Sequence, residues 1–118
     1  MIIKRADDKH FTKVFPCGAT SDRMVLPEPD GTRVKVTYLT TVPGSEWKDV
    51  CYPYDEVFFV IEGCVEVELS DGTKHDLVEG ALLVVNAGDT YTLRDHRGGS
   101  RLYCVFSPVP GGLPVDND

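Results

Sequence analysis

A carboxylate opens an otherwise apolar run in Tyr54-Asp55-Glu56-Val57-Phe58-Phe59-Val60-Ile61-Glu62-Gly63, and the run ends on a glycine turn. Side chains alternate faces along a strand, so Glu56, Phe58 and Val60 share one side. If that side is the core, Glu56 enters an apolar interior, where a carboxylate is costly unless paired and its pKa tends to rise. A side chain so placed is a candidate acid, base or ligand. The other placement puts Glu56 at a barrel mouth, beside solvent and a surface Lys or Arg; the pattern alone leaves both open. Tyr38, Trp47, Tyr52, Tyr54, Tyr91 and Tyr103 add rings that could face a pocket, although most such rings are core or rim packing. His10, His75 and His96 fall in a polar lead-in, an amphipathic strand and a charged loop, and read as surface imidazoles.

The elements that must position these groups are strands. No stretch of ten or more residues carries a helical stripe, while apolar and β-branched runs recur between turn signals. Strands are expected at Met1 to Arg5, Arg33 to Thr41, Glu56 to Ile61, Cys64 to Leu69, Thr73 to Leu77, Ala81 to Val85, Thr90 to Arg94 and Arg101 to Phe106. Glu62-Gly63, Ser70-Asp71-Gly72 and Asn86-Ala87-Gly88-Asp89 are expected to close tight hairpins. Short, evenly spaced strands suit a sandwich or a closed barrel. Residues 7–29 show little period and read as an irregular strand or lid; residues 108–118, rich in Pro and Gly, read as a flexible surface arm.

With 118 residues the chain fits one domain, 1–118, able to enclose a small-molecule pocket. A formal charge of -7 with dispersed Lys and Arg argues against nucleic acid as a partner. Cys17, Cys51, Cys64 and Cys104 form no CxxC pair, which favours buried thiols over zinc or disulfides. No signal peptide or long apolar span is visible, so the expectation is a reduced, cytoplasmic setting with no membrane partner.

Gly44 to Gly63, followed by Gly80 to Tyr91, resembles the two characteristic motifs of the cupin superfamily. The first motif's glycine falls on Gly44, its glutamate on Glu56 and its closing glycine on Gly63; the second motif's glycines fall on Gly80 and Gly88. The resemblance implies a cupin-type jelly-roll β-barrel, and by analogy a homodimer. In that superfamily two histidines before the glutamate and a third after the second turn hold a divalent ion. Here the positions carry Val50, Tyr52 and Tyr91, and the usual proline of the second turn is Asn86. Valine cannot ligate, and a phenol must first lose a proton with an unperturbed pKa of about 10. The expectation is therefore no metal cofactor, with weak divalent binding at Glu56 left open.

Arg101-Leu102-Tyr103-Cys104-Val105-Phe106, followed by Pro108 and Gly112, resembles the end of ectoine synthase, a small cupin family that closes a ring with loss of water. Thr40, Gly44, Glu56 and Gly63 fall in the same alignment, which covers roughly residues 33 to 117. That resemblance puts Glu56 on the family's metal-binding glutamate and Leu83 and Tyr91 on its tyrosine and histidine ligands. Its C-terminal acidic and histidine positions fall on Pro114 and Asp116. Tyr54-Asp55-Glu56 without histidines is also similar to the ethanolamine-utilisation cupins of the EutQ type. Both resemblances imply the same fold and pocket, and they imply different substrates.

Two functions follow as expectations. The first is a lyase- or cyclase-type enzyme doing dehydration, cyclisation or isomerisation on a small polar metabolite. Glu56 would be its base and Tyr91 or Tyr52 the proton donor, while Tyr38, Thr40, Trp47, Tyr54 and Phe106 would line the substrate. The second is a binding module in which the same pocket holds a small molecule without turnover and Glu56 pairs with a cationic group.

Overall fold

Among the described residues, 1–107, the computed structural model contains ten strands and one four-residue helix. The strands are β1 (Phe11–Val14), β2 (Thr20–Val25), β3 (Lys35–Thr40), β4 (Ser45–Cys51), β5 (Asp55–Glu62), β6 (Cys64–Leu69), β7 (Lys74–Val78), β8 (Leu82–Val85), β9 (Thr90–Asp95) and β10 (Arg101–Ser107). Helix α1 (Pro27–Asp30) lies between β2 and β3. Six strands form one antiparallel sheet in the order β1-β2-β3-β10-β5-β8, and four form a second, β4-β9-β6-β7. Apolar side chains from the two inner faces make a jelly-roll core: Leu39, Phe58, Val60 and Leu102 from the larger sheet, Val65, Val67 and Leu93 from the smaller. Each such aliphatic side chain stabilises the fold by about 1.5–3 kcal/mol.

The expected strands from residue 33 onward form, with ends shifted by one or two residues. Other expectations need correction. Met1 to Arg5 joins no ladder, because the chain turns at once: Arg5 N–H donates to Asp8 Oδ2 (2.8 Å) and Asp8 N–H to the Arg5 carbonyl (2.9 Å). Residues 7–29 hold two paired strands, β1 and β2, and α1. The alternation of β2 escapes a hydrophobicity reading because its inward positions are polar, Ser21 and Arg23, both buried.

Strand β4 forms where the sequence predicts none. Its register on β9 slips between Trp47 and Val50, where Lys48-Asp49 adds one residue. Asp49 takes φ 52° there and donates its N–H to Thr92 Oγ1 at 3.1 Å. This bulge brings Trp47 and Val50 to the same inner side.

Ser70-Asp71-Gly72 closes the β6–β7 hairpin as expected, but the other two turns are not hairpins. Strand β5 pairs with β10 and β8, and β6 with β7 and β9, so Glu62-Gly63 carries the chain from one sheet to the other. Asn86 to Asp89 does the same between β8 and β9. At Gly63, φ is +88° and an added Cβ would lie 2.5 Å from Ser100 Oγ and 2.8 Å from Ser100 Cα. Ser100 Oγ meanwhile bridges the Cys64 N–H and carbonyl, 3.1 Å each, so the corner closes only without a side chain.

The cysteine expectation is also corrected: Cys104 is buried, Cys64 is half-buried, and Cys17 and Cys51 are exposed. The arm at 108–118 lies outside the described residues. Among the described residues no helix is long and apolar enough to cross a membrane.

Candidate functional site

Three inward positions on neighbouring strands of the larger sheet stand in one row: Lys35 on β3, Phe106 on β10 and Glu56 on β5. All three are buried, which settles Glu56 in the interior rather than at a solvent-facing mouth. Lys35 extends over the Phe106 ring, its Nζ 4.9 Å from the centroid. The adjacent row holds Arg23, Thr37, Cys104 and Phe58 on β2, β3, β10 and β5. Tyr91 faces these rows from β9 of the smaller sheet. Its hydroxyl donates to Glu56 Oε1 at 2.7 Å, and the Phe58 ring meets the Tyr91 ring edge-on at 5.2 Å.

All of these groups except Lys35 line a half-open cavity of ≈ 50 Å³. Ser21, Arg23, Thr37, Glu56, Tyr91 and Cys104 supply its polar atoms, and Phe15, Leu39, Trp47, Val50, Tyr52, Phe58, Leu93 and Phe106 its carbon walls. Phe15 closes one side edge-on against Trp47 at 5.2 Å. The turn after β8 is tied to the chain beside the cavity: Gly88 N–H donates to the Tyr52 carbonyl (2.9 Å) and Ala87 N–H to Asp55 Oδ1 (2.8 Å). That tether fixes Tyr52 and Tyr91 relative to Glu56.

Burial, the Glu56 charge and the hydrogen bond to Glu56 all push the Tyr91 phenol far above its ordinary range, so it stays protonated. Burial and the same charge push the Cys104 thiol up, against a smaller opposing pull from Thr37, Arg23 and Lys35. The thiol is therefore a neutral wall atom, not a nucleophile. Among the described residues Arg23 and Glu56 are the buried side chains that bring a guanidinium and a carboxylate to the cavity lining, and Lys35 is buried next to Phe106 at its edge. Asp95, the other buried carboxylate, sits at the far end of β9, held low despite its burial by donors from Thr41, Gly98, Ser100 and Arg97.

Of the residues given a catalytic or substrate-lining role from the sequence, Glu56, Tyr91, Tyr52, Trp47 and Phe106 line this cavity, and Tyr38, Thr40 and Tyr54 do not. Tyr38 and Thr40 have the parity of the outer face of β3, where Lys35, Thr37 and Leu39 point inward; Tyr38 packs on Tyr103 outside, centroids 4.9 Å apart. Tyr54 is buried behind the wall, stacked on Tyr52 at 5.3 Å. Arg23, Ser21 and Thr37 were missed: Thr20 to Arg23 is continuously polar and marks no inward face, and Thr37 is a polar inward position on a strand expected from its apolar residues. His10, His75 and His96 are exposed, as expected.

At the cupin ligand positions the described residues offer one carboxylate, Glu56, and no imidazole. Among the described residues no group of three or more His, Cys, Asp or Glu side chains could hold a metal. Val50 has no donor atom there, and the Tyr91 phenol resists deprotonation.

Comparison with known proteins gives the following. A family model described as ectoine synthase matches residues 1–118. Ectoine synthase from P. lautus is 22% identical with a TM-score of 0.74, covering 99% of this chain and 94% of its own. KdgF from Halomonas sp. is 19% identical with a TM-score of 0.76, covering 93% and 97%. A putative ethanolamine utilization protein Q from Salmonella typhimurium LT2 is 20% identical with a TM-score of 0.67, covering 82% and 78%. Among curated proteins there is no match.

Proposed function

The chain belongs to the ectoine synthase family, and from that membership we propose that its barrel cavity is an acid/base active site. Its substrate is a small polar metabolite carrying an anionic group, and its reaction a dehydration, cyclisation or isomerisation. The observation that carries this reading is the buried Tyr91 to Glu56 hydrogen bond on the wall of a half-open pocket. The pair sets a carboxylate that can accept a proton in contact with a phenol that carries one.

Glu56 takes a proton from the substrate and loses its charge. That charge is one of the causes that raise Tyr91, so the phenol holds its proton less tightly at the moment an acid is required. Tyr91 then protonates the developing oxyanion or the departing hydroxyl, which leaves as water in a dehydration. Glu56 returns its proton to the phenolate, which restores the resting pair. Arg23, with Ser21 and Thr37, lines the cavity where the anionic group of the substrate would be met. Trp47 and Phe106 exclude water, and Tyr52 offers a second hydroxyl. The steps use side chains alone, without a metal.

The test is a panel of small hydroxy- and amino-carboxylates and their neutral amides, followed by thermal shift and by proton NMR in deuterium oxide. At least one carboxylate should raise the melting temperature more than its amide and lose a carbon-bound proton to solvent or form product. Stabilisation with neither exchange nor turnover in any member would replace the enzyme by the binding module.

A further inference from the structure

The cavity is open on one side, and the β1–β2 hairpin borders the opening. Of the described residues that line it, Phe15, Trp47, Val50 and Tyr52 keep partial contact with solvent, and the others are buried. Directly opposed residues of an antiparallel pair point to the same face, and Lys13 stands opposite Ser21, a lining residue. Lys13 is therefore on the inner face of β1. Its Nζ lies 5.2 Å from the centroid of the Phe15 ring, which in turn meets Trp47 edge-on. Among the described residues Lys13 makes no ion pair. The backbone fixes Phe15 at the mouth: its N–H donates to the Ala19 carbonyl and its carbonyl accepts from the Gly18 N–H, 2.9 Å each. Pro16 follows it, at the turn position that the proline ring favours.

We propose that Lys13 and Phe15 are the specificity-determining residues of the cavity mouth: Lys13 selects for an anion and Phe15 limits its length, so that the substrate is a short hydroxy acid. The inference rests on the reading of this cavity as the site of an anionic substrate. A water-sized group needs about 10–15 Å³, so ≈ 50 Å³ holds about three to five of them. An acid of about two or three carbons fills that space. A longer one reaches the mouth, where the edge-on Phe15 and Trp47 rings must part to let it in. The formal charge of -7 repels an anion at long range, and an ammonium group at the opening reverses the sign locally, where the low-dielectric walls concentrate its field.

Trp47 is the single tryptophan of the chain, so tryptophan fluorescence reports on the mouth. At equal ionic strength iodide should quench it more than caesium does, the reverse of what the net charge dictates. Lys13→Gln should lower the iodide rate about 1.5–2-fold, the effect of one screened charge at close range. Loss of the preference in Lys48→Gln and not in Lys13→Gln would assign the charge to β4 and overturn the proposal. Thermal shift with glycolate, lactate and gluconate tests length. The two short acids should stabilise the unaltered chain and gluconate should not, while Phe15→Ala should bind gluconate at least about tenfold more tightly than the unaltered chain does. Phe15→Leu, which shortens the wall but keeps an apolar anchor, should show the same trend and decides if Phe15→Ala does not fold. Gluconate bound as tightly as lactate by the unaltered chain, or a length profile that neither variant changes, overturns the limit. Short acids that bind within that limit, with neither hydrogen exchange nor turnover, would remove the acid/base reading and uphold the selective mouth. Absence of binding by every acid would remove both.

Discussion

Tyr91 and Glu56 belong to different sheets, and one hydrogen bond of 2.7 Å joins them across the core. The bond links an acid held protonated to a carboxylate placed among buried cations, and most of what can be tested about the molecule runs through it.

Glu56→Gln keeps size and hydrogen-bonding capacity but removes both the base and the negative charge beside Arg23 and Lys35. Turnover should fall about 10²–10⁴-fold, and stability by about 1–3 kcal/mol with the fold retained. Steady-state kinetics and urea midpoints on the same preparation measure both. Full activity in a folded Glu56→Gln protein would place the reaction elsewhere.

Tyr91 is an acid whose folded pKa lies above its unfolded value, so the stability it contributes is complete below about pH 10 and declines as pH rises beyond it. Alkaline unfolding should therefore steepen above pH 10, and Tyr91→Phe should reduce that slope by up to about 1.4 kcal/mol per pH unit. Near-ultraviolet titration offers a direct reading. The two proteins should release the same number of phenol protons at the pH where free tyrosine ionises, and an extra proton from the unaltered chain would contradict the assignment.

Asp30 behaves in the opposite sense. Burial alone would raise its carboxyl, but the Leu26 N–H, His10 and Lys4 outweigh burial and hold it at about 2. Its contribution is present above the unfolded value near 4 and is lost as pH falls from there toward 2. Acid titration of urea midpoints should show a loss of about 1 kcal/mol in that window, discounted for solvent near the surface, and Asp30→Asn should abolish it.

Elemental analysis of protein prepared without chelator should find well under one equivalent of iron, zinc or manganese per chain. A stoichiometric, tightly held ion would refute the reading of the Glu56 donor set.

Gly63→Ala combines a positive φ with a contact inside 3 Å to the Ser100 backbone. It should cost about 2–4 kcal/mol, well beyond an ordinary surface substitution. A melting temperature within a degree or two of the original would show that the corner relaxes freely.

The sequence made the carboxylate legible because Glu56 interrupts an apolar alternation that nothing else explains. Tyr91 was legible only through its place in a motif. Arg23 and Lys35 were not, because a strand whose inward positions face a polar cavity reads like a solvated strand turned inside out. Tyr38 and Thr40 were assigned to the cavity although strand parity puts them outside; Leu39, between them, carries the inward side. Strand β4 was hidden by its bulge, since one extra residue erases the period of two. The jelly roll was recoverable from short strands and glycines, but two turns that look like hairpins are passages between sheets. Local turn chemistry is the same in both cases, and only the pairing of distant strands tells them apart.

Those passages at Glu62-Gly63 and Asn86 to Asp89 leave the acid and the base on separate plates of the barrel. The gap between plates, unlike the spacing of strands within one, is fixed by side-chain packing and not by a backbone ladder. On the proposed acid/base reading, proton transfer between them is coupled to compression. Squeezing the barrel shortens the donor–acceptor distance, and loosening the core, even by a cavity-forming substitution remote from the carboxylate, lengthens it. Hydrostatic pressure, which leaves ladder hydrogen bonds nearly unchanged, then becomes a direct handle on the proposed chemical step.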